Sequence, residues 1–287
     1  MQSIEWLMRL NNTGTRLSKS HQLIAQHIAT HYEKAMFCTA EDISKQCHVS
    51  ESTVTRFAKS MGYTGYPSFR KALRALATQH LTTQQRFAIS AEMQEEQVLQ
   101  AVLKNDIRNI KKTTELLTEA TFQQAVLCLQ KAKRIFIMGL RSAAPLAQFM
   151  HHYLYQISSD VWLLQNSISD MYEDLSHIGE NDVLFAISFP RYSKLIPEGM
   201  RFAKSNGATT IALTDSVASP LSEVADICLC AATDMTGFVD SLAAPLSVIN
   251  ALVVRLGLTN KDALDAHFQK LEGIWNANDV YLTQNND

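Results

Sequence analysis

Two short segments carry the side chains with the most chemistry to offer. Gly139-Leu140-Arg141-Ser142-Ala143 and Ser188-Phe189-Pro190-Arg191-Tyr192-Ser193 each follow an apolar run and precede a helical pattern. A loop at a helix amino terminus presents unpaired N–H groups and a favourable dipole to an anion. Each segment adds hydroxyls and one arginine, whose planar fork binds phosphate or carboxylate bidentately. The candidate ligand set is Gly139, Arg141, Ser142, Ser188, Arg191, Tyr192 and Ser193, and the chemistry is anion binding. A third segment, Ser50 to Met61, reads as a short helix with Ser52, Thr53, Thr55, Arg56 and Lys59 outward and Val54, Phe57, Ala58 and Met61 inward. Hydroxyls and arginines on such a face suit base edges and phosphates in a major groove.

Catalysis finds no comparable carrier. Glu173, Asp174 and His177 follow an apolar run, where a ring-opening isomerase would keep an acid or base, but they equally fit a solvated helix face. His151 and His152 fall within a helical stretch, and Asp240 suits a helix cap. No spaced carboxylate pair, metal cluster or nucleophile motif appears, and no cofactor is implied. The five cysteines, Cys38, Cys47, Cys128, Cys228 and Cys230, are odd in number and lack zinc-type spacing, which predicts reduced thiols. Cys228 and Cys230 share one side of a strand and fit core packing.

The chain that must position these groups has 287 residues, enough for about two domains at roughly 150 residues each. Hydrophobic residues make up 46% and charged residues 19%, a folded globular mixture. The longest apolar runs fall far short of the roughly 20 residues a membrane helix needs. The start, MQSIEWLMRLNN, lacks a basic segment followed by an apolar run, so a cytoplasmic location and no membrane partner are expected. Residues 1–80 carry 10 Lys+Arg and 5 Asp+Glu, whereas the remainder carries 16 and 23. A basic module on an acidic body suits a polyanion.

Within the basic module, Leu23, Ile24, His27, Ile28 and Tyr32 place one amphipathic helix over 18–32. Thr39 with Asp42 predicts a capping box for a second helix, Cys47-His48-Val49 a tight turn, Ser50 the cap of a third helix, and Gly62 its end. On periodicity alone, a helix-turn-helix and a three-helix interaction module fit equally. The run TAEDISKQCHVSESTVTRFAKSMGYTGYPSFRKAL resembles the helix-turn-helix domain of the RpiR family of bacterial transcriptional regulators, over about residues 3–77. The resemblance implies groove or phosphate contacts by Ser52, Thr53, Thr55, Arg56 and Lys59, with Tyr63, Tyr66 and Lys71 reaching the DNA backbone. His21 stands where the family usually has Glu closing the first cap with Ser18.

Residues 78–93 are polar and without strong period, which predicts a linker or hinge. Leu99, Leu103, Ile107, Ile110 and Leu117 then mark a long amphipathic helix, either a core helix or a dimer-forming element. Beyond Lys133, five apolar runs (Ile135 to Met138, Val161 to Leu164, Val183 to Ile187, Thr210 to Leu213, Ile227 to Cys230) alternate with helical stretches near 143–157, 194–206, 240–256 and 262–274. Such alternation predicts a five-stranded parallel sheet with helices on both faces and ligands at the carboxyl ends of the strands.

This region resembles the sugar isomerase (SIS) domain, found in phosphosugar isomerases and fused to the helix-turn-helix in RpiR-type regulators. The supporting residues are Phe202-Ala203-Lys204-Ser205-Asn206-Gly207-Ala208, Ile211-Ala212-Leu213-Thr214-Asp215, Ser219-Pro220-Leu221 and Ala225-Asp226. The ligand loops depart from the family pattern. Arg141 replaces a glycine and Ala143 a serine in the first, and Pro190-Arg191 replace Ser-Gly in the second. Two hydroxyls are lost and two guanidinium groups gained.

The expected organisation is an all-α helix-turn-helix domain over 1–77, a linker and connecting-helix start over 78–104, an α/β SIS domain over 105–275 and a polar tail over 276–287. The expected function is a ligand-responsive regulator, a repressor of a sugar or related catabolic operon. Its partners are operator DNA, a small anionic effector (a phosphosugar or sugar acid) and further copies of itself as a homodimer or homotetramer. A phosphosugar isomerase with an accessory helical domain is the alternative.

Overall fold

The computed structural model describes residues 17–36, 38–70, 72–73, 81–91, 95–164, 168–259 and 261–282. The chain divides into two compact units, one of Met1–Glu96 with Gly237–Val239 and one of Gln97–Thr236 with Asp240–Asp287.

The first unit is helical: α1 (Lys19–Thr30), α2 (Tyr32–Ala35), α3 (Ala40–Gln46), α4 (Glu51–Ser60), helical turns at 66–70 and 72–73, and α5 (Thr83–Ser90). The caps form where the sequence places them. Ser18 accepts from the His21 N–H, Thr39 and Asp42 close a capping box on α3, and Ser50 accepts from the Thr53 N–H at the start of α4. A second box, Thr82 with Gln85, starts α5 inside the polar stretch 78–93. His48 turns the chain between α3 and α4 at φ 52°, and Gly62 ends α4 at φ 86°, a backbone that L side chains rarely adopt. Ile24, Ile28, Ile43, Val54, Phe57 and Phe69 are buried together, with the Phe57 and Phe69 rings edge to face at 5.6 Å.

The second unit contains α6 (Val98–Leu116), α7 (Glu119–Lys131), β1 (Ile135–Gly139), α8 (Ala144–Ile157), β2 (Val161–Leu164), α9 (Ile168–Asp174), β3 (Val183–Ile187), α10 (Leu195–Ser205), β4 (Thr209–Thr214), β5 (Ile227–Cys230), α11 (Ala243–Gly257) and α12 (Lys261–Ala277). All five strands are parallel, in the order β2-β1-β3-β4-β5. Alternate residues face opposite sides. Ile135, Ile137, Phe185, Ile187, Ile211 and Leu213 pack with α8 and α11 residues, whereas Phe136, Met138, Leu184, Ala186 and Ala212 pack with α9 and α10 residues. β1 and β3 are buried along their whole length, as a sheet covered on both faces requires. At the amino end of the sheet, Arg134 holds the buried Asp182 carboxylate through Nε at 3.1 Å and Nη2 at 2.6 Å.

The long helix α6 does not bury its apolar stripe in the core of its own unit. Its apolar stripe faces outward: Leu99, Leu103, Ile107 and Ile110 are 66%, 47%, 55% and 39% exposed. The inward face is polar, with Asn105, Asn109 and Thr113 buried. Asn105 and Asn109 both donate Nδ2–H to the Asp234 carbonyl, at 2.5 and 2.9 Å, and Thr113 Oγ1 accepts from the Ala232 N–H at 2.9 Å. Hydrogen bonds, rather than apolar packing, hold this helix against the segment leaving β5. Asp240 does not cap α11, whose N-cap is Leu242 without a side-chain hydrogen bond. No helix among the described residues is long and apolar enough to cross a membrane.

Candidate functional site

In the order β2-β1-β3-β4-β5, the chain leaves β1 toward one side for β2 and crosses to the other for β3. The carboxyl ends of β1 and β3 therefore flank the topological switch point, where open α/β sheets leave a crevice for ligands. Gly139 pairs in register with Ile187, so the two arginine-bearing loops leave neighbouring strands at the same level.

The first loop depends on Gly139. A Cβ there would lie 2.8 Å from the Ala143 carbonyl oxygen and 2.9 Å from Ala147 Cβ. Only glycine lets the first turn of α8 sit this close to the strand end. Arg141, at φ 57°, opens a 3-10 turn that runs into α8, and both Arg141 and Ser142 are exposed. In the second loop Ser188 is buried and its backbone N–H donates to the Leu213 carbonyl at 3.2 Å. Arg191 is exposed at φ 70°, and Ser193 is half-buried before α10. Both arginines thus occupy the left-handed region, where a bulky side chain is a rare and costly choice.

Tyr192 is half-buried, and its hydroxyl donates to Asp215 Oδ1 at 2.6 Å; Thr214 Oγ1 donates to the same oxygen at 3.2 Å. Burial and the Asp215 carboxylate push the Tyr192 hydroxyl pKa up, so it stays a donor. Through Tyr192, Asp215 joins the candidate site, although the expected ligand set left it out. Its signal was its place directly after β4.

Of the suggested acid–base groups, His177 lies away from this site. The His177 carbonyl accepts from Arg134 Nη2 at 2.5 Å, which places it at the amino end of the sheet. Glu173 is exposed, as is His152, and His151 is half-buried. Cys228 and Cys230 lie side by side on β5 with sulfurs 3.8 Å apart, the same-face arrangement their spacing predicts. Among the described residues no group of three or more His, Cys, Asp or Glu could hold a metal. A groove of about 430 Å³ opens between the end of α8 and α12, lined by Tyr155, His267, Leu271 and Trp275, and its described lining carries no Lys or Arg.

On the helical unit, α4 presents its polar face as predicted. Ser52, Arg56 and Lys59 are exposed, and Thr53 and Thr55 are half-buried. Ser50 Oγ lies 2.8 Å from both Ser52 Oγ and Thr53 Oγ1, and Arg56 Nη2 donates to Thr53 Oγ1 at 3.4 Å. The hydroxyls at the start of the helix thereby brace the arginine. Tyr63 is half-buried against Phe69, ring centroids 5.4 Å apart. Tyr66 corrects the expectation of a DNA-backbone contact. It is 2% exposed and its hydroxyl donates to the Cys38 carbonyl at 3.2 Å, so it is a core residue. Lys71 lies outside the described residues.

Comparison with known proteins gives two matching family models: the helix-turn-helix domain of the rpiR family over residues 4–80 and the SIS domain over residues 128–255. An uncharacterized HTH-type transcriptional regulator of Haemophilus influenzae is 30% identical over 228 residues, 77% of this chain and 78% of that protein. The HTH-type transcriptional regulator HexR of Pseudomonas aeruginosa is 24% identical, over 93% of this chain and 94% of HexR. Among solved structures, the sugar isomerase domain of an RpiR transcription factor from Sphaerobacter thermophilus superimposes with a TM-score of 0.59 at 26% identity, covering 61% of this chain and 98% of that one. The Vibrio vulnificus NanR protein complexed with ManNAc-6P shares the fold at a TM-score of 0.58 and 20% identity, over 94% of this chain and 97% of that one. The role these relatives carry is regulatory rather than catalytic. With the α3–α4 reading motif and the parallel sheet in place, the chain belongs to the rpiR family of helix-turn-helix transcriptional regulators with a SIS domain.

Proposed function

We propose that this regulator represses a catabolic operon from the cytoplasm, binding operator DNA through α4 and releasing it in response to an anionic metabolite held at the carboxyl ends of β1 and β3. The observation that carries the ligand class is the pair Arg141 and Arg191, both at positive φ and both exposed beside helix amino termini at the switch point. A phosphate or carboxylate can accept the paired N–H groups of a guanidinium bidentately, which a neutral sugar cannot. A phosphosugar or a sugar acid fits this chemistry. The phosphosugar found with the V. vulnificus NanR protein, on the same fold, supports the former.

The test is calorimetric titration of phosphorylated sugars and sugar acids into the wild-type chain and Arg191→Ala, with DNA affinity measured in parallel. An anion should bind the wild type and lose about tenfold or more in affinity in the variant, in line with one charge-assisted hydrogen bond. Because linkage is reciprocal, the same anion must change operator affinity. Tight binding of a neutral sugar, or an anion indifferent to Arg191, would refute the assignment.

The working species is a homodimer or larger homo-oligomer assembled through the second unit. The outward stripe of α6, four large apolar side chains on a 19-residue helix, supports this, since contiguous exposed apolar surface marks an interaction site. Two copies also supply the paired reading helices that half-sites about one helical turn apart require.

A further inference from the structure

Four helices of the first unit begin with a hydroxyl cap, and two of them close a full capping box. On α3 the Asp42 carboxylate returns to the Thr39 N–H at 2.8 Å, and on α5 the Gln85 amide oxygen returns to the Thr82 N–H at 2.7 Å. The equivalent third position of α1 is His21. Its backbone N–H is capped by Ser18 Oγ at 3.3 Å, but its side chain takes another course. The imidazole stands edge-on to Phe57, ring centroids 5.7 Å apart at 76°. Phe57 is buried, and the residue before it is Arg56, exposed on the reading face of α4. The half-buried His21 ring therefore flanks the recognition helix beside its arginine.

The charges around this ring point the same way. Burial and the Arg56 guanidinium hold the His21 pKa below its ordinary value, so the ring is neutral in the free protein at neutral pH. Among the described residues, Arg56 is the charged group facing it from α4. The other imidazoles of α1 and its end, His27 and His31, stack on each other at 4.8 Å. An anion between Arg56 and His21 would neutralise the repulsion and favour the imidazolium. The anion that meets the edge of a helix lying in the major groove is a DNA phosphate, and the His21 ring, on α1, stands against α4 at Phe57 with the Arg56 charge acting on it.

We propose that His21 is a phosphate-binding residue of the DNA interface, gripping the same backbone phosphate as Arg56 and taking one proton from the buffer as it does so. The inference rests on the reading of α4 as the groove helix. Its consequence is that DNA affinity is proton-linked: binding is accompanied by uptake of up to one proton per reading module, and operator affinity rises as pH falls from 8.0 to 6.0 at constant salt.

The experiment uses the full-length chain, a duplex selected by that chain from a random pool and a scrambled duplex of equal length. Affinities are measured at pH 6.0 and 8.0 across a salt series for wild type, His21→Gln and, as control, His48→Asn, an exposed turn position whose left-handed backbone Asn adopts readily. Wild type should bind several-fold tighter at pH 6.0, with a salt dependence steeper by up to about one phosphate contact per module, on both duplexes. His21→Gln should lose most of that gain, and His48→Asn should keep it. Thermal melts establish that His21→Gln is folded. In the chain labelled with 13C-histidine, the His21 resonance should titrate at a higher pH with DNA than without. Full pH dependence in His21→Gln, or an unchanged His21 titration in the complex, overturns the proposal. Absence of any DNA complex at both pH values would overturn the placement of α4 itself, and this inference with it.

Discussion

The Tyr192 hydroxyl donates a 2.6 Å hydrogen bond to Asp215 Oδ1, which ties the loop after β3 to the residue that follows β4. A hydrogen bond to a charged group contributes about 1.5 to 3 kcal/mol. Tyr192→Phe removes it while keeping the ring. Effector affinity should fall about tenfold by calorimetry with a modest drop in melting temperature, because the loop that carries Arg191 loses its anchor.

Arg56 is exposed on α4 and braced by Thr53. Arg56→Ala should weaken operator binding by about 1 to 3 kcal/mol without changing the melting temperature. Electrophoretic or fluorescence titration at matched salt checks this, and unchanged affinity would refute the placement of α4 in the groove.

Ile107 lies midway along the outward stripe of α6 and is 55% exposed. Ile107→Glu sets two like charges in a symmetric helix–helix contact, or leaves each facing an apolar partner. The mass measured by light scattering should shift toward monomer, with stability of the monomer unaffected. An oligomer unchanged in mass would place the interface elsewhere.

Asp226 accepts from the Thr210 N–H at 2.9 Å and the Thr210 hydroxyl at 2.8 Å, and pairs with Lys204 Nζ at 2.6 Å. Burial acts to raise its pKa, but the Lys204 and Thr210 contacts outweigh it, and the net shift is downward from 3.8. A carboxylate with a depressed folded pKa contributes stability that is present above its unfolded pKa and lost as pH falls through the folded value. Wild type should therefore exceed Asp226→Asn in denaturant melts at pH 6, and the gap should close as pH drops below about 4. A gap independent of pH would show that the carboxylate's charge is not what matters.

The sequence by itself determined the local elements. The caps at Ser18, Thr39 and Ser50 form as their hydroxyls dictate, since a capping bond reaches only three residues along the chain. The five apolar runs became the five strands, the central β1 and β3 buried along their whole length and the edge strands β2 and β5 in part. Neither signal reveals which face of a helix meets the core. The stripe Leu99, Leu103, Ile107 and Ile110 has the period of a core-facing helix, yet tertiary contacts to Asp234 and Ala232 turned Asn105, Asn109 and Thr113 inward instead. Tyr66 was misplaced for the same reason: an aromatic with a hydroxyl fits a backbone contact or a buried bond to the Cys38 carbonyl, 28 positions away, and only the fold chooses. The meeting of Tyr192 with Asp215, and of His21 with Phe57 and Arg56, likewise joins residues far apart in the chain. Periodicity and capping are properties of neighbours along the chain; which distant side chains share a site is settled by strand order and helix packing, and so by tertiary structure alone.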